Sequence, residues 1–315
     1  MILDDFCNYT AEKLQSDLSR RGLKNFNNSI CFFIDLLGFS NQTKAAFKNN
    51  YYKTFYNLAD ILNSRNNETQ ELNDNKLNYF SAYSDSIIWI ISYNKDSSLS
   101  RVSEFDDTML NISIEIPQLL FSFIESGFFF RGGLSFGKTI IGETSTRKGE
   151  ENPHHFFSKN ILFSEALTKS VEIESTISYP IIGVHEDQKE IFLQLDDSNR
   201  KYKESFKHLL QIKDIEPNAK EELKEKYFLD HLSLIIDNAY SGTCPITDIT
   251  YVFETHYRSI EKATEKIEWK DIQPDKKSRL LEKYDFLKKY HNYILNKYHL
   301  ELNKILHFEV TEQEN

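Results

Sequence analysis

The chain is poor in cysteine, glycine and proline. Its three cysteines, at positions 7, 31 and 244, are widely separated and include no CxxC pair. Neither a disulfide framework nor a cysteine zinc site is therefore indicated, and we expect reduced cysteines that serve in packing. Ten glycines and six prolines are few for 315 residues, which favours long helices and strands over an all-β sandwich with many turns.

The chain also lacks an excess of positive charge and any long apolar run. Its net charge of −10 argues against binding to nucleic acid or to anionic membranes, because such binding requires clustered lysine and arginine. No apolar run approaches the roughly 18 residues of a membrane-spanning helix, and the first residues do not resemble a signal peptide. We therefore expect a cytoplasmic protein with no nucleic-acid or membrane partner.

Apolar residues are abundant enough for a substantial core, since 40% of the chain is hydrophobic and 14% is aromatic. Their spacing predicts the following elements in order: a helix over 5–22, a strand over 29–36, a helix over 43–62, a hairpin over 79–93, a helix over 103–126, two strands joined by a short turn over 128–143, a helix over 164–175 and a strand from 179. This order is typical of an α+β sandwich of ferredoxin type, with a mostly antiparallel sheet. Beyond about residue 200, enrichment in Lys, Glu, Leu and Tyr predicts a helical C-terminal region.

One aspartate lies inside a segment that otherwise has the composition of a buried strand, ICFFIDLLGFS at residues 30–40. The carboxylate of Asp35 would lose much of its hydration there unless a partner compensates its charge. The compensation could come from a buried Arg or Lys, from backbone amides, from a raised pKa that leaves the carboxyl neutral, or from a bound cation.

A second carboxylate, Asp85 in AYSDSII, stands at the expected turn of the hairpin. If the first strand pairs beside this hairpin, Asp35 and Asp85 converge at one end of the sheet. Two such carboxylates can hold a hard divalent cation such as Mg²⁺. The alternative is that both residues close local turns, Asp35 as a cap and Asp85 in an Asx-turn.

Two other groups of residues have simpler explanations. Gly132, Gly133 and Gly137 allow a strand to lie close to a ligand or to another backbone, and close packing is expected because no Walker or Rossmann spacing is present. His154 and His155 are adjacent in a polar loop and lack the spacing of a shared metal site.

The order and spacing of these motifs resemble the class III nucleotidyl cyclase domain, over about residues 29–190. FFIDLLGF, then YSDSI about fifty residues later, then RGGLSFG and the helix SEALTKSVEIE follow one another as in that family. In the family, a strand aspartate and an aspartate at the tip of the next hairpin bind two metal ions. Asp35 and Asp85 occupy the matching positions.

The resemblance implies a Mg²⁺- or Mn²⁺-dependent cyclase that acts on a nucleoside triphosphate and works as a homodimer with the site at the interface. Asp35 and Asp85 would hold the metals, with the Leu36 carbonyl as a further ligand. Arg131 would be catalytic, and Lys138 and Lys169 are further candidates for cations near the phosphates, although ion-paired or solvated roles are the alternative. Contacts with the nucleotide are expected from these residues: Leu36, Gly38, Phe39, Ser81, Tyr83 and Lys138.

The chain departs from the purine cyclases of the family at several positions. Thr168 and Glu172 stand where the ribose-orienting Asn and the transition-state Arg are expected, and Ser81 and Ile161 stand at the purine-reading positions. This pattern, with RGG and an acidic helix end at Glu174, looks more like the Pycsar uridylate and cytidylate cyclases of bacterial antiphage defence. A pyrimidine triphosphate, UTP or CTP, is therefore the expected substrate.

On this interpretation the chain comprises an N-terminal helix at 1–25, a cyclase-like catalytic domain at 26–195 and a helical region at 196–315. Two rival hypotheses stay open. The first is a cyclase-like fold that has lost catalysis and serves as a nucleotide sensor or interaction module, as Thr168 and Glu172 suggest. The second is a phosphohydrolase that uses the same pair, Asp35 and Asp85.

Overall fold

The computed structural model describes residues 23–50, 52–69, 71–72, 76–93, 114–143, 160–185, 208–242, 248–268 and 273–298. The expected helix over 5–22, the histidines at 154 and 155, and the cysteines at 7 and 244 lie outside these ranges.

Nine strands of the described chain form one sheet. They are β1 (Leu23–Leu37), β2 (Glu71–Leu72), β3 (Lys76–Tyr83), β4 (Ser86–Tyr93), β5 (Phe129–Glu143), β6 (Asn160–Ser164), β7 (Ile182–Val184), β8 (Leu209–Gln211) and β9 (Tyr227–Leu229). Their order is β2-β3-β4-β1-β5-β7-β9-β8, and β6 pairs with β5. All the described pairs are antiparallel except β5 with β7.

The helices of the described chain are α1 (Phe39–Asn49), α2 (Lys53–Thr69), α3 (114–125), α4 (Glu165–Thr176), α5 (Ile212–Ile215), α6 (Glu221–Lys224), α7 (His231–Ser241), α8 (Ile249–Glu268) and α9 (Pro274–Lys297). None of these helices is long and apolar enough to cross a membrane. The mixed α+β class with a mostly antiparallel sheet is confirmed.

Several expectations about individual elements need correction. β1 begins at Leu23, so the polar stretch NFNNS belongs to the strand and is accommodated by a register shift between Phe26 and Ser29. The two strands predicted over 128–143 are one long strand, Phe129–Glu143. The helix predicted over 43–62 is two helices, and the first ends at Asn50 in the left-handed conformation, with φ 51°. The C-terminal region is not purely helical, because β8 and β9 extend the sheet.

The two faces of the sheet differ because side chains alternate along each strand. On β1, Ile30, Phe32 and Ile34 are buried in the large core, which also holds apolar residues of α3, α7, α8 and α9. Cys31, which points the opposite way, belongs to a smaller apolar cluster with Ala166 of α4. Most helices therefore cover one face, and α4 packs on the other.

Glycine allows α4 to approach this second face closely. A Cβ atom on Gly133 would lie 2.0 Å from the backbone oxygen of Ser170, so only glycine fits beneath the helix at this point. Hydroxyl groups secure the contact: Ser170 Oγ donates to the Cys31 carbonyl at 2.9 Å and lies 3.0 Å from Ser135 Oγ. The close packing expected for this glycine is what the structure shows.

Candidate active site

Strand pairing places four polar side chains in one row across the second face of the sheet. Tyr83 on β3 lies opposite Ser86 on β4, which lies opposite Asp35 on β1, which lies opposite Arg131 on β5. Directly opposite residues on neighbouring strands project from the same face. Arg131 is on the same face of β5 as Gly133, which lies beneath α4. The row therefore lies on the face that α4 covers in part.

Asp85 lies beside this row, in the two-residue turn between β3 and β4. The preceding Ser84 has φ 59°, a left-handed conformation that makes the tight turn possible. The backbone N–H of Leu36 donates to the Asp85 carbonyl at 2.8 Å, which ties the turn to the end of β1. Asp35 and Asp85 therefore meet at one end of the sheet, as their positions in the sequence predicted.

Arg131 compensates the charge of Asp35. Its Nε donates to Asp35 Oδ2 at 3.1 Å and is also ion-paired with Glu174 of α4. The side chains of Arg131, Asp35 and Glu174 are 31%, 20% and 10% exposed, so the cluster is largely withdrawn from solvent. Of the four kinds of compensation considered for Asp35, an arginine partner is therefore present.

Burial dominates the electrostatics of this cluster. Desolvation raises the pKa of the Asp35 carboxyl, the Arg131 guanidinium lowers it, and the nearby Asp85 raises it. Desolvation likewise raises the pKa of Glu174, against the opposing effect of Arg131. Both carboxylates are costly to keep charged in this position, and a second cation would stabilise them.

A lysine from the C-terminal region reaches the same cluster. Lys283 of α9 interacts electrostatically with Arg131, Asp35 and Glu174, and burial and Arg131 together lower the pKa of its ammonium group. Sequence reasoning did not identify Lys283, because nothing in the local sequence places α9 at this end of the sheet. Glu174 was noted only as an acidic helix end.

The donors at this end of the sheet suit a magnesium or manganese ion in their chemistry. Mg²⁺ in phosphate-transfer sites is commonly held by one or two carboxylates, with waters and substrate phosphates as the other ligands. Asp35 and Asp85 supply such a pair, and the Leu36 carbonyl is adjacent. Among the described residues, no group of three or more His, Cys, Asp or Glu side chains could hold a metal by itself.

Gly38, Phe39 and Tyr83, three of the residues expected to contact the nucleotide, lie near the row. Their local contacts differ. Gly38 precedes α1 with φ 76°, where a side chain would be strained. Phe39 packs its ring against Phe55 and Phe128 at 5.7 and 6.2 Å, so it serves the core. Tyr83 is half-exposed at the end of the row, and its hydroxyl lies 3.4 Å from that of Tyr79.

Ser81 is partly exposed on the same face as Tyr83, two residues earlier on β3 and opposite Ile88. Its partner Ile88 lies opposite Phe33 of β1, two residues before Asp35.

The two lysines considered as phosphate ligands lie elsewhere. Lys138 is exposed and seven residues along β5 from Arg131, which corresponds to roughly 20 Å. Lys169 forms an ion pair with Glu165 at 3.0 Å, at the N-terminal end of α4. The structure therefore does not bring Lys138 or Lys169 to Asp35.

Two of the four positions at which the chain departs from the purine cyclases are on the surface. Thr168 and Glu172 of α4 are both exposed, and the Thr168 hydroxyl donates to the Ser164 carbonyl one turn earlier, at 3.1 Å. Neither residue takes part in the Asp35, Arg131 and Glu174 cluster.

No protein-family model and no curated protein matches the sequence. Among solved structures, a bacterial light-regulated adenylyl cyclase is similar at a TM-score of 0.34 with 15% sequence identity, over 66% of this chain and 52% of that chain. The match thus spans about half the length of that cyclase.

Proposed function

We propose that this protein is a metal-dependent nucleotidyl cyclase, which converts a nucleoside triphosphate to a 3′,5′-cyclic monophosphate and pyrophosphate. The observation that carries the proposal is the meeting of Asp35 and Asp85 at one end of the sheet, joined by the hydrogen bond from Leu36 to Asp85. The order of motifs that resembles class III cyclases supports it, since the two aspartates occupy the metal-binding positions of that family.

Each residue has a defined task in this reaction. Asp35 and Asp85 would hold the metal ions, with the Leu36 carbonyl as a further ligand. When bound, Mg²⁺ or Mn²⁺ would acidify the ribose 3′-hydroxyl and neutralise the phosphates. Arg131 would release Asp35, remain paired with Glu174, and direct its free donors toward the phosphate chain.

The finer features of the proposal come from the resemblance to the Pycsar cyclases. They are a pyrimidine substrate, UTP or CTP, a signalling role in antiphage defence, and a cytoplasmic homodimer with the site at its interface. The exposed faces of Thr168 and Glu172 on α4 are compatible with contacts to a second copy. We keep 26–195 as the proposed catalytic domain, with the C-terminal region packed against it.

The rival hypothesis, an inactive cyclase-like nucleotide sensor, is favoured by one specific observation. Arg131 already satisfies Asp35, and an arginine that neutralises a metal-binding carboxylate competes with the metal for it. In an inactive protein the cluster of Asp35, Arg131 and Glu174 would be a permanent structural ion pair.

The replacement of each aspartate by asparagine separates the two hypotheses. Asp35→Asn and Asp85→Asn should each lower cyclic-nucleotide formation by at least about 100-fold, because an amide is a weak ligand for a hard cation. Asp60→Asn, the same substitution at an exposed position of α2, is the matched control and should stay active. Full activity in either aspartate variant would refute the proposal.

A further inference from the structure

Lys283 lies on the stripe of α9 that faces the core. Leu287, Tyr290 and Ile294 are all buried, and they follow one another at the three- and four-residue spacing of one helix face. Phe286, beside Leu287, is also buried. Lys283 continues this stripe one turn toward the N-terminus. A charged residue at a position that faces inward requires a compensating group.

The neighbours of Lys283 fix where this part of α9 sits. The ring of Tyr284 packs edge-on against Phe129 at 5.3 Å, and the ring of Phe286 stacks on Tyr179 at 4.2 Å. Phe129 begins β5, two residues before Arg131. Tyr179 follows α4 shortly after Glu174. The start of α9 is therefore held between the beginning of β5 and the end of α4, where the ion-pair cluster lies.

The two cations near the cluster, Arg131 and Lys283, differ in how they contact its carboxylates. Arg131 is bound to Asp35 and Glu174, whereas Lys283 is partly buried and attracts these two carboxylates without a hydrogen bond to either. A partly buried ammonium group that is not bound to the carboxylates beside it is a suitable ligand for an anion that enters the site.

We infer that Lys283 binds the phosphate chain of the nucleoside triphosphate, so that α9 completes the candidate active site. The identity of the ligand rests on the proposed function. With metal on Asp35 and Asp85, an arriving polyphosphate would meet two cations from different elements, Arg131 of β5 and Lys283 of α9. The C-terminal region is then part of the binding site and not only a support for the sheet.

Binding of inorganic triphosphate in the presence of Mg²⁺, measured by isothermal titration calorimetry on the full chain, tests this inference without requiring turnover. Lys283→Gln should weaken binding by about 10-fold or more, the value of one charge-assisted hydrogen bond. Lys283→Arg keeps the charge and should bind within a few-fold of the unmodified protein. Lys276→Gln, at an exposed position of the same helix, is the matched control and should leave the affinity unchanged.

Each outcome decides the inference. Equal triphosphate affinity in Lys283→Gln and the unmodified protein, or no binding by the unmodified protein, would overturn it. An active cyclase with unchanged triphosphate affinity in Lys283→Gln would refute the role of Lys283 and keep the reaction. Triphosphate binding that depends on Lys283, without any cyclic product, would refute the reaction and keep the anion site. Thermal unfolding of all three variants checks that each is folded.

Discussion

Asp35 and Arg131 are directly opposed on neighbouring strands, and Arg131 Nε donates to Asp35 Oδ2 at 3.1 Å. The same arginine is paired with Glu174 of α4. One guanidinium therefore links two carboxylates from different elements. If Asp35 holds a metal as proposed, Arg131 competes with the ion for this carboxylate and Glu174 offers Arg131 a second partner. This competition leads to predictions that can be measured.

Glu174 should set the affinity for the metal. Glu174→Gln removes the second partner of Arg131, so Arg131 stays on Asp35 and competes with the ion. We expect the Mn²⁺ concentration for half-maximal activity, and the Kd for Mn²⁺ in a direct titration, to rise by about 10-fold. Glu222→Gln, at an exposed position of α6, is the control and should match the unmodified protein. The same Kd in both variants would show that Arg131 does not compete with the metal.

Arg131 should also contribute to stability. Arg131→Gln leaves two partly buried carboxylates without their partner and should lower the free energy of unfolding by about 2 kcal/mol in urea denaturation. The double variant with Glu174→Gln should recover part of that loss, because one unpaired charge is removed with it. Arg258→Gln breaks an exposed pair with Glu254 and should change stability by less than about 0.5 kcal/mol. Equal losses for Arg131→Gln and Arg258→Gln would contradict the structural role of the cluster.

The convergence of Asp35 and Asp85 could be predicted from the sequence because it depends on local patterns. A strand of buried composition and a short hairpin turn specify where each carboxylate stands, and pairing of adjacent elements brings them together. The partner of Asp35 could not be selected in this way. Sequence spacing does not show which of several cations lies opposite a strand residue, so Arg131 was one candidate among others.

Other features depended on contacts between distant parts of the chain. The length of β5 was underestimated because its glycines indicate a turn locally, whereas Gly133 is required by the close approach of Ser170. β8 and β9 have three residues each, which is too short for a periodic signal. Lys283 is placed near Asp35 by contacts between α9 and distant parts of the chain, Tyr284 with Phe129 and Phe286 with Tyr179.

Two buried histidines should make the protein less stable in acid. Burial lowers the pKa of His231 to about 4, although Asp230 and the Leu229 carbonyl oppose this effect. Burial also lowers the pKa of His256 well below its usual range, and His291 contributes to that shift. The Nδ1 atoms of His256 and His291 lie 2.9 Å apart. Protonation of both rings would therefore place two positive charges next to each other.

Because the folded state holds fewer protons than the unfolded chain, stability from these groups is complete above about pH 6.5 and is lost as the pH falls below it. For each histidine, the free energy of unfolding should fall by up to about 1.4 kcal/mol per pH unit as the pH decreases. For His231 this fall continues down to about pH 4. Urea denaturation between pH 7.5 and 5 measures this slope. His256→Asn should show a shallower slope than the unmodified protein, and an identical slope in the two proteins would contradict the assignment.

The proposed reaction is tested most directly by its product. The purified protein is incubated with Mg²⁺ or Mn²⁺ and each of ATP, GTP, CTP and UTP, and the products are identified by mass spectrometry, with Asp85→Asn in parallel. We predict a cyclic monophosphate and pyrophosphate from UTP or CTP, absent in the variant. A linear monophosphate would indicate a phosphohydrolase, and no turnover of any of the four nucleotides would contradict the cyclase proposal.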